Sequence, residues 1–436
     1  MTKNAAVVLI GVVAAAISGP VLAEIQAAHK HLGSASCAAS LCHGSSEPRP
    51  DTVIMGNEFT VWQELDPHQF AFDILKQPLS RKIAQNLGLG DPTRADVCLD
   101  CHGENPPPAM RGAKFQVSDG VGCESCHGGS EHWIASHTRE GGSRAEDIAN
   151  GMYPTQEPVA RAKLCLSCHM GSKDRMITHE IMGAGHPRLS FELDTFTWLN
   201  PHYRVDADYE ARNGVFNGAR DWGVGQGVAA LNLLEQLTDP KVGHSGIFPE
   251  LVLFDCHACH KSMNGRTWTA RSSTGLGPGI PRLNDANLLV YRYVVGLIDP
   301  AAANQLREQT RALHQSTVKS RDGALAAANR LKATIEATLQ KVAAHDFNPD
   351  SLPQILRAMA ADADKGEFAD FAAAEQAAMA AQSVVVAFTT AKQIDAERSQ
   401  ALLRKVDGVY ATVENGDRYG QGNFVAAFKQ LSGAAN

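Results

Sequence analysis

Ten cysteines occur in this chain, and they form five pairs, each followed at once by a histidine. The first pair, Cys37 and Cys42 with His43, has a four-residue spacer, and the other four have a two-residue spacer. These four sets are Cys98, Cys101 and His102; Cys123, Cys126 and His127; Cys165, Cys168 and His169; and Cys256, Cys259 and His260. C-x-x-C-H is the signature of c-type haem attachment. The thiols bond to the porphyrin and the histidine becomes the proximal iron ligand, so the sequence predicts five covalently attached haem c groups.

Three other kinds of site use paired cysteines. Zinc ribbons contain C-x-x-C but do not require a histidine after each second cysteine. Thioredoxin-like proteins use a single C-x-x-C in a strand–helix context, and a disulfide framework would leave the histidines unexplained. Haem therefore accounts best for the four standard motifs, and for Cys37 and Cys42 the alternative is a disulfide.

The N-terminus has the pattern of a secretory signal. Residues 1–23 contain one positive residue, Lys3, then an apolar stretch over 5–17 and a small-residue cleavage site at 21–23. Because c-type haem is attached outside the cytoplasm, export and the cysteine motifs support each other. We expect a periplasmic protein, with onward transport to the cell surface as an open alternative. Beyond the signal, no stretch of eighteen uninterrupted apolar residues occurs, so we expect no membrane span in the mature chain.

The charge balance is acidic. Residues 1–23 contain one base and no acid, so the remainder carries 39 Lys and Arg against 47 Asp and Glu, a net charge of −8. Haem propionates would add further negative charge. A nucleic-acid partner is therefore not expected, and a charged docking partner is expected to present a basic face.

Composition divides the chain near residue 300. Residues 24–299 hold every cysteine and fifteen of the seventeen histidines, which predicts a pentahaem cytochrome c domain with little regular secondary structure. Short helices are expected to carry the attachment motifs, and longer ones are predicted over 221–237 and 285–298. The fold class predicted is mainly α.

Residues 300–436 are rich in alanine and predict a C-terminal α-helical hairpin or bundle. Apolar residues from Leu306 to Val342 recur on one face of a single long helix. A break is expected at 346–349, further helices over 352–364, 368–389 and 394–413, and a second break at 415–417. This region offers a surface for docking or for self-association, or simply covers haem faces.

Three segments resemble the cytochrome c-554 family of multihaem proteins. They are Trp62-Gln-Glu-Leu-Asp-Pro-His68, the motif that begins at Cys98, and Gly120-Val-Gly-Cys-Glu-Ser-Cys-His-Gly128. The resemblance covers roughly residues 35–190 and implies distal iron ligands at His68 and at His137, ten residues beyond the third motif histidine. The chain departs from the family in having five motifs where the type member has four haems, and in the stretched first motif. One haem of that tetrahaem relative lacks a sixth ligand, and this property is not assigned to any iron here.

Other histidines supply the remaining distal candidates. His179 and His186 lie seven residues apart after the fourth motif, and Gly183, Gly185 and Pro187 favour a loop for His186. For the fifth iron the candidates are His31 and His244. We expect His257, inside the fifth motif, to face solvent, and His132 and His202 to be polar residues without an iron. Three methionines, at positions 170, 176 and 182, are expected to pack rather than to bind iron.

Three functions fit these observations: an electron carrier, an oxidoreductase, and a polymer or outer-surface conduit in which the role of the chain is partly structural. Bis-histidine haems along one chain favour an electron carrier between redox proteins, such as a donor dehydrogenase, a quinol oxidase module or a terminal reductase. The alternative is an oxidoreductase that acts on a small nitrogen or sulfur compound (nitrite, hydroxylamine, nitric oxide or a sulfur oxyanion) at one five-coordinate haem. The lysine variant of the motif, C-x-x-C-K, typical of nitrite reductases of this kind, does not occur. The carrier is therefore favoured, and no catalytic residue is named.

Overall fold

The computed structural model describes residues 28–50, 54–199, 203–204, 206–213, 217–241, 243, 247–260, 271–277 and 279–435. The predicted signal at 1–23 and two histidines, His202 and His244, lie outside the described residues. The described residues form helices and turns with isolated β-bridges and no strand, as the prediction of a mainly α fold requires.

The motif-bearing half begins with short helices. Its helices are α1 (Glu58–Leu65), α2 (Ala71–Ile74), α3 (Pro78–Asn86), α4 (Asp96–His102), α5 (Cys123–His127), α6 (Trp133–His137), α7 (Arg144–Ala149), α8 (Pro158–His169), α9 (His179–Gly183), α10 (Leu193–Leu199), α11 (Ala207–Asn213), α12 (Gly218–Thr238), α13 (Cys256–Cys259) and α14 (Ala286–Ile298). Helices α12 and α14 lie within three residues of their predicted limits.

The C-terminal part contains longer helices. They are α15 (Pro300–Thr317), α16 (Arg321–Ala344), α17 (Ser351–Ala363), α18 (Phe371–Thr390), α19 (Ala396–Tyr410) and α20 (Gln421–Ala434). Side-chain caps fix several of their starts: Asp299, Ser320, Asp370 and Asp395 each accept a hydrogen bond from a backbone N–H of the first turn.

The prediction of a single long helix through residues 306–342 is wrong. The chain folds there into a hairpin of α15 and α16, joined by Val318, Lys319 and Ser320. The Ser320 side chain accepts a hydrogen bond from the N–H of Gly323 and so starts a new helix. Both helices bury their apolar faces, which a single straight helix of this length could not do within one core.

One hydrophobic core continues across residue 300. Its members come from α8, α12 and α14 as well as from the C-terminal helices, and include Leu166, Trp222, Tyr291, Leu339 and Phe388. Helix α12 lies inside it, and Gly227 allows the close approach of the neighbouring helices, since a Cβ there would lie 2.7 Å from Tyr291 Cε2. The predicted division at 299/300 falls between two helices that share this core, and the division itself stays a prediction.

Helix α18 is the one described helix with the length and apolar composition of a membrane span. It is rich in alanine, and 72% of its most apolar window is buried within the fold. Most of its apolar surface is therefore buried against neighbouring helices, as in a core helix.

Candidate haem sites

Four attachment motifs lie in helices. Helices α4, α5 and α8 end at the motif histidine, and α13 ends one residue before His260. The first motif differs from the expectation of a short helix for every motif, since residues 40–43 form a turn after a 3-10 helix at Ser34–Ser36. Its longer spacer adds two residues between the thiols, which a single helical turn does not accommodate. All ten cysteines have free thiols, so Cys37 and Cys42 do not form the alternative disulfide in this structure.

Among the described residues, four motif histidines each face a second histidine. The pairs are His43 with His137, His102 with His186, His169 with His68, and His260 with His179, and the ring centres are 6.1, 6.4, 5.8 and 6.0 Å apart, respectively. Two imidazoles bound to one metal ion have centres about 6.2 Å apart, because each metal–nitrogen bond is about 2.0 Å and each ring centre lies about 1.1 Å behind its nitrogen. The spacing of all four pairs therefore fits one iron between the rings.

The predicted distal histidines in these pairs are His68, His137, His179 and His186, and the structure brings each to a different motif. The angles between ring planes range from 12° to 82°. Rotation about an iron–nitrogen bond allows any such angle, so the range is compatible with axial ligation. Binding of iron by these residues stays a prediction, to which the structure adds a specific pairing.

Hydrogen bonds hold several of these rings by the nitrogen that would not bind iron. His68 Nδ1 lies 2.9 Å from Asp66 Oδ1, His186 Nδ1 lies 2.7 Å from the Pro187 carbonyl, and His137 Nδ1 lies 3.4 Å from Asp147 Oδ2. Metal-bound histidines commonly donate their second N–H to a carboxylate or carbonyl, which fixes the ring orientation. In each case Nε2 is the nitrogen left for a metal.

The proximal side shows the same arrangement at two motifs. His43 Nδ1 lies 2.9 Å from Glu58 Oε2, and His102 Nδ1 lies 3.2 Å from the Ala71 carbonyl. The hydrogen bond that His43 donates to Glu58 raises the pKa of His43, against the effect of burial. Burial and the nearby His68 lower the pKa of His169 to about 4. A ring with such a pKa is neutral at physiological pH, which is the form that binds metal.

His179 and His186 are positioned by one short segment. His179 begins α9, where Thr178 caps the helix, and its backbone N–H donates to Glu250 Oε1 at 2.9 Å. The helix ends at Gly183, so His186 lies in the following loop, as the glycines and proline predict. The segment thus directs one ring to the fifth motif and the other to the second.

The remaining histidines near the third motif form two groups. His29 and His132 pack edge to face with ring centres 4.9 Å apart, and Gly151, at φ +103°, leaves the space that the His29 ring occupies. His31 is fully buried, and its Nδ1 lies 2.6 Å from Glu104 Oε1. It therefore shares the carboxylate contact seen at His68 and His137. The other candidate for the iron left without one of the four paired histidines, His244, lies outside the described residues.

Glu124, inside the third motif, holds the backbone of the segment that carries His31 by hydrogen bonds. Its two carboxylate oxygens accept hydrogen bonds from the backbone N–H groups of Leu32, Gly33 and Ser130, at 2.8, 2.6 and 2.7 Å. His31, Glu104 and Glu124 lie together and buried. Because backbone donors already occupy both oxygens of Glu124, the cluster is a structural tie between the N-terminal segment and α5.

Cysteines of different motifs lie side by side. The thiols of Cys37 and Cys123 lie close enough to shift each other's pKa, as do those of Cys101 and Cys168. Leu164 packs against both Cys126 and Cys168. The neighbouring thiol of Cys101, together with Arg175, lowers the pKa of Cys168 to about 6 against the effect of burial, whereas burial raises the pKa of Cys165 to about 11.

The surroundings of the motifs suit a large apolar cofactor. A cavity of about 540 Å³ opens beside Phe72, with Lys76 and Arg81 on its wall. Phe72 packs with Leu99 and Cys98 of the second motif. Exposed apolar side chains occur nearby, including Leu65 and Leu79, which are 66% and 58% exposed. These residues fit porphyrin, which would cover apolar surface and place its propionates within reach of basic side chains.

Sequence reasoning missed the carboxylates that hold the histidines. Asp66 lies two residues before His68, so proximity in sequence could have indicated it, but Asp147 and Glu104 are distant from their partners.

The expectation that His257 faces solvent is wrong: it is half-buried, and its ring lies 5.0 Å from that of Phe371 in α18. Met176 is buried in the main hydrophobic core, and Met170 packs against that core, as expected for methionines that do not bind iron.

Comparison with known proteins gives one match. Residues 40–128 match the family model described as cytochrome c554 and c-prime, a segment that includes the histidines of the first three motifs. No curated protein and no solved structure matches the chain. The chain thus resembles c-type cytochromes over this segment, and the match supports covalently bound haem c and electron transfer.

Proposed function

We propose that this chain is a periplasmic pentahaem cytochrome that carries electrons between redox proteins. The observation that supports it most is the set of four histidine pairs whose ring centres are 5.8–6.4 Å apart. An iron with two histidine ligands is six-coordinate, so it exchanges electrons without an open position for substrate. The secretory pattern of residues 1–23 supports export, which covalent haem attachment requires.

The contacts between motifs suggest the order in which electrons would move. We number the haems by the order of their motifs along the chain. Leu164 packs against both Cys126 and Cys168, Cys168 Sγ lies 3.8 Å from the Asp100 carbonyl inside the second motif, and Cys37 lies near enough to Cys123 to shift its pKa. These relations support neighbouring haems in the order first, third, fourth, second. The segment that carries His179 and His186 then links the second haem to the fifth.

The fifth haem lies beside the C-terminal helices. His257 of its motif contacts Phe371, and Arg188 pairs with Glu375 of the same helix, α18, at 2.5 Å. The helices thus cover one side of the fifth site. An entry point for a redox partner is therefore proposed at the opposite end of the series, near the first haem, where an acidic protein would favour a partner with a basic face.

Two measurements on the mature protein test the proposal. Intact mass should exceed that of the polypeptide by about 616 Da for each of five haems. The double variant Cys37→Ser/Cys42→Ser should lose one such increment and keep the other four, which tests the stretched first motif. A mass equal to that of the bare polypeptide would refute the assignment.

The spectrum of the reduced protein with carbon monoxide then separates a carrier from an enzyme. Carbon monoxide binds an iron with an open sixth position, so a carrier with six-coordinate haems should show no spectral change. A change in about one haem in five would favour the oxidoreductase function instead.

A further inference from the structure

Arg175 is a buried cation in the turn after the fourth motif, and only 8% of it is exposed. The turn is closed by two backbone hydrogen bonds between Ser172 and Arg175, at 3.2 and 3.1 Å. Asn232 of the core helix α12 donates to the Gly171 carbonyl at 2.9 Å and ties the turn to the core. The position of Arg175 is therefore set by the folded scaffold.

The guanidinium of Arg175 is directed at cysteine sulfur. Its Nη1 lies 3.5 Å from Cys168 Sγ, and Cys168 Sγ in turn lies 3.8 Å from the carbonyl oxygen of Asp100, inside the second motif. Arg175 thus lies where the attachment edges of the fourth and second haems meet.

Within the part of the chain that the structure describes, Arg175 has no carboxylate within ion-pair distance. The other buried arginines differ: Arg161 pairs with Asp221, and Arg271 pairs with both Asp285 and Asp370. A buried charge without a counter-charge is costly. The cost falls when negative charge arrives nearby, and an electron on an adjacent haem is such a charge.

We propose that Arg175 raises the reduction potential of the fourth haem and, to a smaller extent, of the second. The inference rests on the proposed function, because it requires haems on Cys165 and Cys168 and on Cys98 and Cys101. A fixed positive charge favours the reduced form of each haem, which carries one electron more. Electrons would then collect at this junction, in the middle of the proposed series.

The test compares Arg175→Gln with Lys173→Gln in the haem-loaded protein. Both variants remove one positive charge from the same turn, but Lys173 is less buried than Arg175. Redox titration followed by haem absorbance should show, for Arg175→Gln, at least a tenfold fall in the equilibrium constant for reduction of one or two haems, which is about 59 mV for one electron. Lys173→Gln should change every potential by clearly less, since solvent screens its charge.

The variant Arg175→His provides a second test if Arg175→Gln does not take up haem. Its charge disappears as the pH rises, so the affected potentials should fall with rising pH more steeply than in the wild type. Intact mass, measured first, distinguishes a failure of the proposed function from a failure of the role proposed for Arg175. A chain without five attached haems contradicts the proposed function, whereas five attached haems with unchanged potentials in Arg175→Gln contradict only the role of Arg175.

Discussion

The imidazole rings of His43 and His137 face each other with centres 6.1 Å apart and planes only 12° from parallel. Each ring is held from behind by a carboxylate, Glu58 for His43 and Asp147 for His137. Two rings held in this way leave their inner nitrogens for one metal ion, and the first haem would supply it.

Replacing His137 should open the sixth position of that iron. In His137→Ala the first haem loses its distal ligand, so about one haem in five should bind carbon monoxide and shift in the reduced spectrum. The matched control is His345→Ala, which removes a histidine that packs edge to face on Phe347, far in sequence from every motif. A His137→Ala protein that carries five haems and does not react with carbon monoxide would contradict this pairing.

The carboxylate behind His68 should tune the fourth haem. Asp66 accepts hydrogen bonds from both the backbone N–H and Nδ1 of His68, each at 2.9 Å, and this contact raises the pKa of His68 against the effect of burial. A more basic ligand favours ferric iron. Asp66→Asn should therefore raise the potential of one haem by about 30–60 mV, or about three- to tenfold in the equilibrium constant.

Redox titration measures this effect, and Asp73→Asn is the control. Asp73 is exposed and pairs with Lys76 at 2.6 Å, so the same chemical change there should leave the potentials nearly unaltered. Equal shifts in the two variants would indicate a general charge effect and would refute a specific contact with His68.

The sequence was sufficient to predict most of the C-terminal helices, because they depend on local patterns. The attachment motifs are also local patterns, and haem attachment at their cysteines stays a prediction. The spacing of Cys98, Cys101 and His102 is fixed by one helical turn, and the apolar period of residues 371–390 is that of one helix. The pairing of distal with proximal histidines was not predictable, since each pair joins segments far apart in the chain. His68, for example, meets His169 only because the folded chain brings α8 next to the loop after α1.

The hairpin of α15 and α16 was missed for a different reason. Apolar residues on the two helices, such as Leu313 and Leu331, continue one helical period through the turn, so periodicity alone does not reveal the break. A serine at position 320, a residue type that commonly caps the start of a helix, was the sequence signal that could have indicated the break. His257 was misplaced because its cover comes from α18, more than a hundred residues later in the chain.

Packing around Gly227 leads to a stability prediction. A methyl group there would lie 2.7 Å from Tyr291 Cε2 and 2.9 Å from Leu339 Cδ1, so Gly227→Ala should lower the free energy of unfolding by about 1–3 kcal/mol. Gly408, in the exposed face of α19, has no atom within 4 Å of such a methyl group. Gly408→Ala should raise the free energy of unfolding by about 0.5–1 kcal/mol, because alanine favours the helix.

Urea unfolding followed by far-ultraviolet circular dichroism compares these two glycine variants. Opposite signs are expected for the same chemical change. A Gly227→Ala protein as stable as Gly408→Ala would mean that α12, α14 and α16 do not pack as closely as described.

The buried ion cluster around Asp285 should make stability depend on pH. Asp285 is 4% exposed, pairs with Arg271 and lies 3.1 Å from His314 Nε2. Burial alone would raise the pKa of Asp285, but the charges of Arg271 and His314 outweigh it and hold that pKa well below its usual range. Because the folded-state pKa is lowered, this contribution to stability is present above the unfolded-state pKa of about 3.9 and is lost as the pH falls below that value.

Asp285→Asn should therefore reduce the free energy of unfolding by about 3–5 kcal/mol at pH 7, since Arg271 then loses a buried counter-charge. Below about pH 4 the difference from wild type should shrink, because Asp285 of the unfolded chain then takes up a proton while the folded carboxylate, with its lowered pKa, is still ionised. Urea unfolding at pH 7 and pH 3 measures both values, with the exposed Asp407→Asn as the control, expected within about 0.5 kcal/mol of wild type at either pH. A difference for Asp285→Asn that is equal at the two pH values would show that the carboxylate at position 285 is not stabilised by ion pairing.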